Sequence, residues 1–386
     1  MKILFLSWNY PPALGGIEYV VEHLFKGLKK RGNDTTLMTT FATDVLAEED
    51  LLRAPRPGLF SYLWFVFTRG RSLCRSFRPD VILCGSVVPA TVGSIFSRWF
   101  GIPLVVLMHG SDILHKGMLY QVVIRWSLRR AARLCANSAM TKKLLVEAGF
   151  DESIIKVIHP GVSTENFEKC PDSGVEEILK ELEGRRVLLT VGRLIQRKGV
   201  LEFVENVMPQ LCQKYPDLAY LVVGDDAKDS LVHHERLRDQ IVAKANELEL
   251  TKNVLLPGSL PNEDLVRLFF RSDIFVLPCI DVPGDVEGFG IVFSEAALAN
   301  TPSVATWIGG IPEAVEDGQT GLLVDVGDYA GLTDAITKLL DDESLRMQLA
   351  QAGADRARRL LSWDVIVGQY EKVLEESRKS KVESSL

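Results

Sequence analysis

The feature that most restricts the fold of this chain is a unit that recurs along it: a short apolar run, a glycine-bearing turn, then a stretch of helical periodicity. Residues 2–8 read as a buried strand, the Asn-Tyr-Pro-Pro-Ala-Leu-Gly-Gly run at 9–16 as a loop, and residues 17–30 as a helix ending at Gly32. Apolar strands at 81–83, 104–107 and 157–158 follow, separated by helical stretches, which is the alternation of a helix-covered parallel sheet. Residues 163–184, which hold Cys170-Pro-Asp-Ser-Gly, are polar and weakly patterned and read as a linker. The pattern then restarts at 186–191 and continues with strands at 219–223, 254–256, 274–277 and 303–305. A length of 386 residues exceeds one ordinary doubly wound sheet and suits two. The expected class is therefore α/β, with two Rossmann-like doubly wound parallel-sheet domains facing a cleft and no internal repeat beyond that shared architecture. A last helix at about 363–378 precedes a Ser-rich tail.

With 47% hydrophobic and 25% charged residues, each half can bury a core of its own. The apolar run at 3–6 is too short for a secretory leader, and no stretch approaches the ~20 apolar residues of a membrane span. A cytoplasmic location is the expectation. The six cysteines, Cys74, Cys84, Cys135, Cys170, Cys212 and Cys279, lack Cys-x-x-Cys spacing and read as reduced packing residues rather than a zinc site. Net charge is -7, yet residues 51–150 hold fourteen Lys or Arg against three Asp or Glu. One face of the N-terminal half is thus a candidate surface for anions or an anionic membrane.

Open α/β sheets bind ligands outside the carboxyl ends of their strands, so residues just after strands come first. The most informative segment is Glu287-Gly-Phe-Gly-Ile-Val-Phe-Ser-Glu295, a Gly-x-Gly turn entering a helix. Gly288 and Gly290 permit close backbone approach, and the amides of Phe289, Gly290 and Ile291 at the helix start make an anion site. Carboxylates would repel a diphosphate, so Glu287 is expected on the hydroxyls of a transferred sugar and Glu295 on a ribose diol; the alternative for Glu295 is a solvated helix residue. A second segment, Thr190-Val-Gly-Arg-Leu-Ile-Gln-Arg-Lys-Gly199, sets Gly192, Arg193 and Lys198 at another strand end. Arg193 offers a planar fork and Lys198 a point charge to phosphate oxygens, unless both are merely solvated.

Gly15-Gly16 opens the first helix but lacks the Gly-x-Gly-x-x-Gly of dinucleotide binders, and a tight turn without a ligand explains it equally well. His109, in Leu-Met-His-Gly-Ser-Asp after a strand, is as readily structural as functional. His23 and the pair His233-His234 read as helical surface or packing residues. No Asp-x-Asp is present and no His, Cys and carboxylate cluster has metal spacing, so no metal and no cofactor are expected. If a diphosphate departs, side-chain cations and helix dipoles must do the work of Mg²⁺.

Taken together, the Pro-Pro-x-x-Gly-Gly loop, His-Gly-Ser-Asp, Gly-Arg-Leu-Ile-x-Arg-Lys-Gly, the two glutamates eight apart and Gly-Gly-Ile-Pro-Glu313 resemble the family-4 retaining glycosyltransferases of the GT-B fold. Within that family the chain is most similar to the bacterial phosphatidylinositol mannosyltransferase branch. The resemblance implies an acceptor domain at 1–165, a donor domain at 166–363, and a helix at about 364–380 that packs back on the first. It implies that Arg193 and Lys198 hold the diphosphate, Glu295 the ribose, and Glu287 with the amides of Phe289 and Gly290 the donor sugar. Gly16 would approach the phosphates, His109 the sugar near its reacting carbon, and the base would pack near 258–260, at Leu260. The implied donor is a nucleoside-diphosphate sugar, GDP-mannose rather than a UDP-sugar, with no nucleic-acid partner.

Residues 56–78 combine Phe60, Trp64, Phe65 and Phe67 with arginines, which suits a helix lying on an anionic membrane, and suits equally an amphipathic helix packed on the sheet. The first reading implies a lipid-linked or glycan acceptor reached peripherally at the inner membrane face. Rival readings are a sugar-nucleotide epimerase or phosphorylase on the same fold, a retaining glycosidase with carboxyls ~5 Å apart, and a two-domain binding protein.

Overall fold

The computed structural model describes residues 1–13, 15–43, 49–114, 117–172, 174–226 and 236–384. The chain divides into two compact units, Met1–Gly161 with Trp363–Leu386, and Val162–Ser362.

The first unit is built on seven strands: β1 (Lys2–Leu6), β2 (Asp34–Thr39), β3 (Leu51–Arg53), β4 (Val81–Cys84), β5 (Leu104–Met108), β6 (Arg133–Ala136) and β7 (Ile155–Val157). They lie in the order β3-β2-β1-β4-β5-β6-β7, and every pairing is parallel. β2, β3 and β6 are absent from the sequence reading. In β2, Thr35, Thr36 and Thr39 are buried, and their branched side chains suit a pleated surface although the sequence looks polar. β6 is a four-residue Arg-Leu-Cys-Ala run whose strand state depends on pairing with β5.

The final helix, Trp363–Ser384, belongs to this unit and packs on the helix Gly16–Lys30. A Cβ at Gly27 would lie 2.5 Å from Val367, so only glycine allows the two helices this close. Glu371 ties the pair by accepting from Arg31 and from Asn33, each at 2.7 Å. Trp363 stacks on His23 with centroids 5.1 Å apart, which makes His23 a packing residue.

The second unit holds β8 (Val187–Val191), β9 (Ala219–Val223), β10 (Val254–Gly258), β11 (Ile274–Leu277), β12 (Ser303–Thr306) and β13 (Gly321–Val324), ordered β10-β9-β8-β11-β12-β13 and again parallel. Both sheets therefore reverse their winding beside their first strand, between β1 and β4 and between β8 and β11. These two switch points are where such sheets bind ligands.

Two expectations need correction. The stretch at 163–184 is not a linker, because Phe167, Val175 and Leu182 are buried in the second unit's core; their apolar positions are too sparse to show periodicity. The cysteines are all free, and Cys74, Cys84, Cys135 and Cys279 are buried, but Cys170 is exposed and not a packing residue. His233 and His234 lie outside the described residues.

Candidate functional site

In the second unit, four loops at strand carboxyl ends, after β8, β9, β11 and β12, lock together backbone to backbone. After β8, Gly192 takes φ 147° and its amide donates to Val223 at 3.0 Å; a Cβ on Gly224 would sit 1.9 Å from the Gly192 carbonyl oxygen. The turn at 196–199 closes on the loop after β11, where the Ile280 amide donates to the Arg197 carbonyl at 2.9 Å. Gly199 has φ 67°, and a Cβ there would stand 2.0 Å from the Pro278 oxygen. Gly310 makes the third contact: its amide donates to the Glu287 carbonyl at 2.9 Å, and its own Cβ would lie 2.0 Å from the Gly288 oxygen. Substituting Gly199, Gly224 or Gly310 forces backbone apart.

Those contacts bring Lys198 and Glu287 together. Lys198 Nζ donates to Glu287 Oε2 at 2.7 Å. Arg197 also donates to Oε2, and its Nε lies 3.0 Å from Asp285 Oδ2. Arg197 and Asp285 were missed by the sequence reading. Arg197 adjoins Lys198, but the sequence does not reveal that both turn inward, being only 8% and 9% exposed. Burial alone would raise the Glu287 carboxyl; Lys198 and then Arg197 outweigh it and hold the group at about 2. Glu287 is thus an anion over the whole physiological range.

Arg193 and Lys198 differ in their surroundings. Arg193 is exposed on the loop after β8, whereas Lys198 is buried and paired with Glu287. Among the described residues no carboxylate pairs with Arg193, so its charge is available to a ligand.

The Gly-x-Gly turn enters the helix Ile291–Leu298 with Gly290 as N-cap at φ 83°. Phe289, 2% exposed, is buried in the core and anchors the turn, while Gly288, Gly290 and Ile291 stay half-buried at the helix mouth. Helix-start amides lack intrahelical acceptors and carry the positive end of the dipole. On the same helix the half-buried Glu295 carboxyl has no hydrogen bond or ion pair among the described residues, and burial lifts it to about 7. It is not a fully solvated helix residue. Leu260, beyond β10, is half-buried against the same core, next to Gly258 whose carbonyl accepts from Gly224 at 2.9 Å.

In the first unit the switch point between β1 and β4 is bordered by Gly85, Gly15 and Gly16, with His109 after β5. Gly15 and Gly16 are exposed at the start of a fifteen-residue helix, whose first turn is tied down by Asn9 donating to Glu18 at 2.7 Å. His109 is half-buried, and its Nε2 lies 2.8 Å from the Gly85 carbonyl oxygen. A carbonyl only accepts, so Nε2 carries the hydrogen and Nδ1 is left without a partner among the described residues. The His109 amide donates to Asp112 at 3.3 Å, and burial raises the Asp112 carboxyl although His109 opposes it. Among the described residues, no three His, Cys, Asp or Glu side chains gather as a metal cage.

Two family matches cover complementary parts of the chain. Residues 175–356 match Glycosyl transferases group 1, and residues 14–166 match Glycosyltransferase Family 4. The GDP-mannose-dependent alpha-(1-6)-phosphatidylinositol monomannoside mannosyltransferase of Mycolicibacterium smegmatis is 27% identical over 94% of this chain and 95% of its own length. A glycogen synthase of Mycobacterium tuberculosis is 26% identical over 95% of this chain and 92% of its own. Among solved structures, Anabaena HepE in complex with UDP superposes with a TM-score of 0.77 at 24% identity, covering 97% of this chain and all (100%) of the other. The sucrose-phosphate synthase of Thermosynechococcus elongatus does so with a TM-score of 0.81 at 22% identity, covering 97% and 98%.

Proposed function

We propose that this chain, which belongs to the glycosyltransferases of family 4 and group 1, moves a hexose from a nucleoside diphosphate to its acceptor with retention of anomeric configuration and without a metal. The observation that carries this reading is the pairing of a buried Lys198–Glu287 contact with a partnerless Glu295 on the helix that follows. A half-buried carboxylate without a partner is costly to ionise, and a ribose diol would supply two donors to it. Lys198 and the exposed Arg193 are then the cations for the diphosphate, with the amides of Phe289, Gly290 and Ile291 beside them. As the leaving group departs, its charge grows, and groups that meet that charge lower the barrier more than they aid binding. In the first unit, His109 would address the sugar through Nδ1, and Gly15 and Gly16 would let a phosphate approach the helix start.

GDP-mannose is the proposed donor, supported by the similarity to the mannosyltransferase; a UDP-sugar is the second reading, favoured by the UDP complex among the similar folds. Melting the protein with GDP, UDP and their sugars decides between them. The true nucleotide at 100 times its Kd is expected to add about 2.7 kcal/mol of stability, with the same gain in EDTA. No shift with either nucleotide would end the reading, and a gain abolished by EDTA would end its metal-free part.

The proposed acceptor is lipid-linked, or a glycan, met at an anionic membrane face. On the helix Leu59–Ser76, Phe60 is 83% and Trp64 61% exposed. Arg71 lies over the ring of exposed Trp99, and Arg98 over that of Trp126, at 5.6 and 4.9 Å. Cations beside exposed indoles suit the boundary between headgroups and acyl chains. No helix among the described residues is long and apolar enough to cross a membrane. Co-sedimentation with vesicles rich in anionic lipid is expected, weakened about tenfold or more by Phe60→Ser with Trp64→Ser. Equal binding to neutral vesicles would remove the electrostatic part of this proposal.

A further inference from the structure

Arg197 has no part in the reading above, yet it is the most constrained cation near Glu287. Its Nε faces Asp285 Oδ2 at 3.0 Å, and its other arm donates to Glu287 Oε2. That same oxygen receives Lys198 Nζ at 2.7 Å, so one carboxylate oxygen serves two cations. The two cations are not equivalent. Arg197 is held by a second carboxylate, and its backbone carbonyl is fixed by the Ile280 amide at 2.9 Å. Lys198 has Glu287 as its sole side-chain partner among the described residues. An incoming phosphate, more strongly charged than a carboxylate, can therefore draw Lys198 away but not Arg197.

We propose that Arg197 is a positioning residue: clamped by Asp285, it holds Oε2 of Glu287 in place, so that Lys198 can exchange that oxygen for a donor phosphate while the carboxylate keeps its orientation and charge. The exchange of Lys198 rests on the nucleoside-diphosphate reading; the clamp itself does not. Four groups make up the cluster with Glu287: Arg197, Lys198, Asp285 and the buried Cys279 thiol, which burial raises to about 12 and which stays neutral at working pH. Were Lys198 to leave with nothing in its place, burial would act on Glu287 against a single counter-charge. With Arg197 lost as well, the carboxyl would move toward the protonated form, because burial opposes the ion.

The test compares Arg197→Met and Arg197→Lys with the wild type by two readouts. The first is the titration midpoint of the Glu287 carboxyl, followed by carbon NMR in ligand-free protein and assigned with Glu287→Gln. The second is the pH profile of kcat and KM for sugar transfer. In Arg197→Met the midpoint and the acid limb of kcat are expected to rise by about one pH unit or more. Its kcat should fall about 30–100-fold while KM for the donor stays within about threefold. Arg197→Lys restores charge but not the fork, so its midpoint should return to the wild-type value with kcat still about tenfold low.

An unmoved midpoint in Arg197→Met, or wild-type kcat in either variant, overturns the proposal. So does a loss in Arg197→Lys as deep as in Arg197→Met with its midpoint also raised, which would mark a structural role only. Should Arg197→Met fail to fold, Arg197→Lys decides alone by its kcat. A wild type that transfers no sugar overturns the functional reading, and the midpoints then judge the clamp by themselves.

Discussion

Replacing Lys198 with alanine is expected to lower kcat by about 10²–10³-fold while KM for the donor changes by less than about fivefold. On donor binding its ammonium exchanges the Glu287 oxygen for a phosphate oxygen, so one ion pair replaces another and the net gain in holding the ground state is small. During transfer the diphosphate gains charge, and a cation already placed and desolvated beside it needs no further reorganisation to meet that charge. The loss should therefore appear in turnover rather than in affinity. Stability should fall only modestly, because Arg197 still neutralises Glu287. Steady-state kinetics with the preferred donor, beside a thermal melt, checks both parts, and an alanine variant that turns over at the wild-type rate would remove Lys198 from the chemistry.

Glu295→Gln should move stability and function in opposite directions. The wild-type carboxyl has its native pKa raised by burial from 4.5 to about 7. An acid raised in the native state gives its full stability below the unfolded value and loses it as pH rises through the native one. The wild type is therefore handicapped progressively between about pH 4.5 and 7, and fully above that. Glutamine ionises nowhere and escapes the handicap. The variant should match the wild type near pH 4 and exceed it at pH 8 by on the order of 1–3 kcal/mol, read as a higher melting temperature. Donor affinity should meanwhile drop about 10–100-fold, since hydrogen bonds from two hydroxyls to an ion become bonds to a neutral amide. A stability gain that is flat in pH would show that the Glu295 charge is not strained.

This opposition has a physical origin that recurs in the second unit. The half-buried Glu295 carboxyl has no side-chain partner among the described residues, and Lys198, Arg197 and Glu287 are ions held out of solvent, although replacing such groups by apolar ones often stabilises a fold. Groups of this kind are retained where a ligand completes them.

Much of the architecture was legible in the chain. Strands at 219–223 and 274–277 were bounded correctly because they are continuous apolar runs covered on both faces. β2, β3, β6 and β13 were not, because threonine-rich or three- to four-residue strands acquire their state from their neighbours in the sheet. The segment at 163–184 misled for a related reason: three scattered apolar side chains, Phe167, Val175 and Leu182, carry no period, yet each finds a place in the core.

The site divides the same way. Local pattern by itself determined the glycine turns, the helix start at Gly290 and the residue types at 190–199 and 287–295, because backbone freedom and strand-to-helix turns depend on neighbours in the chain. Only the tertiary structure decided that Lys198 pairs with Glu287, that Arg197 joins it, and that the Glu295 carboxyl has no side-chain partner among the described residues. Those residues are about ninety positions apart, and their charges interact only after the loops meet through glycines with no room for a side chain. Electrostatic strength depends on distance and burial, and neither exists until the sheet has formed.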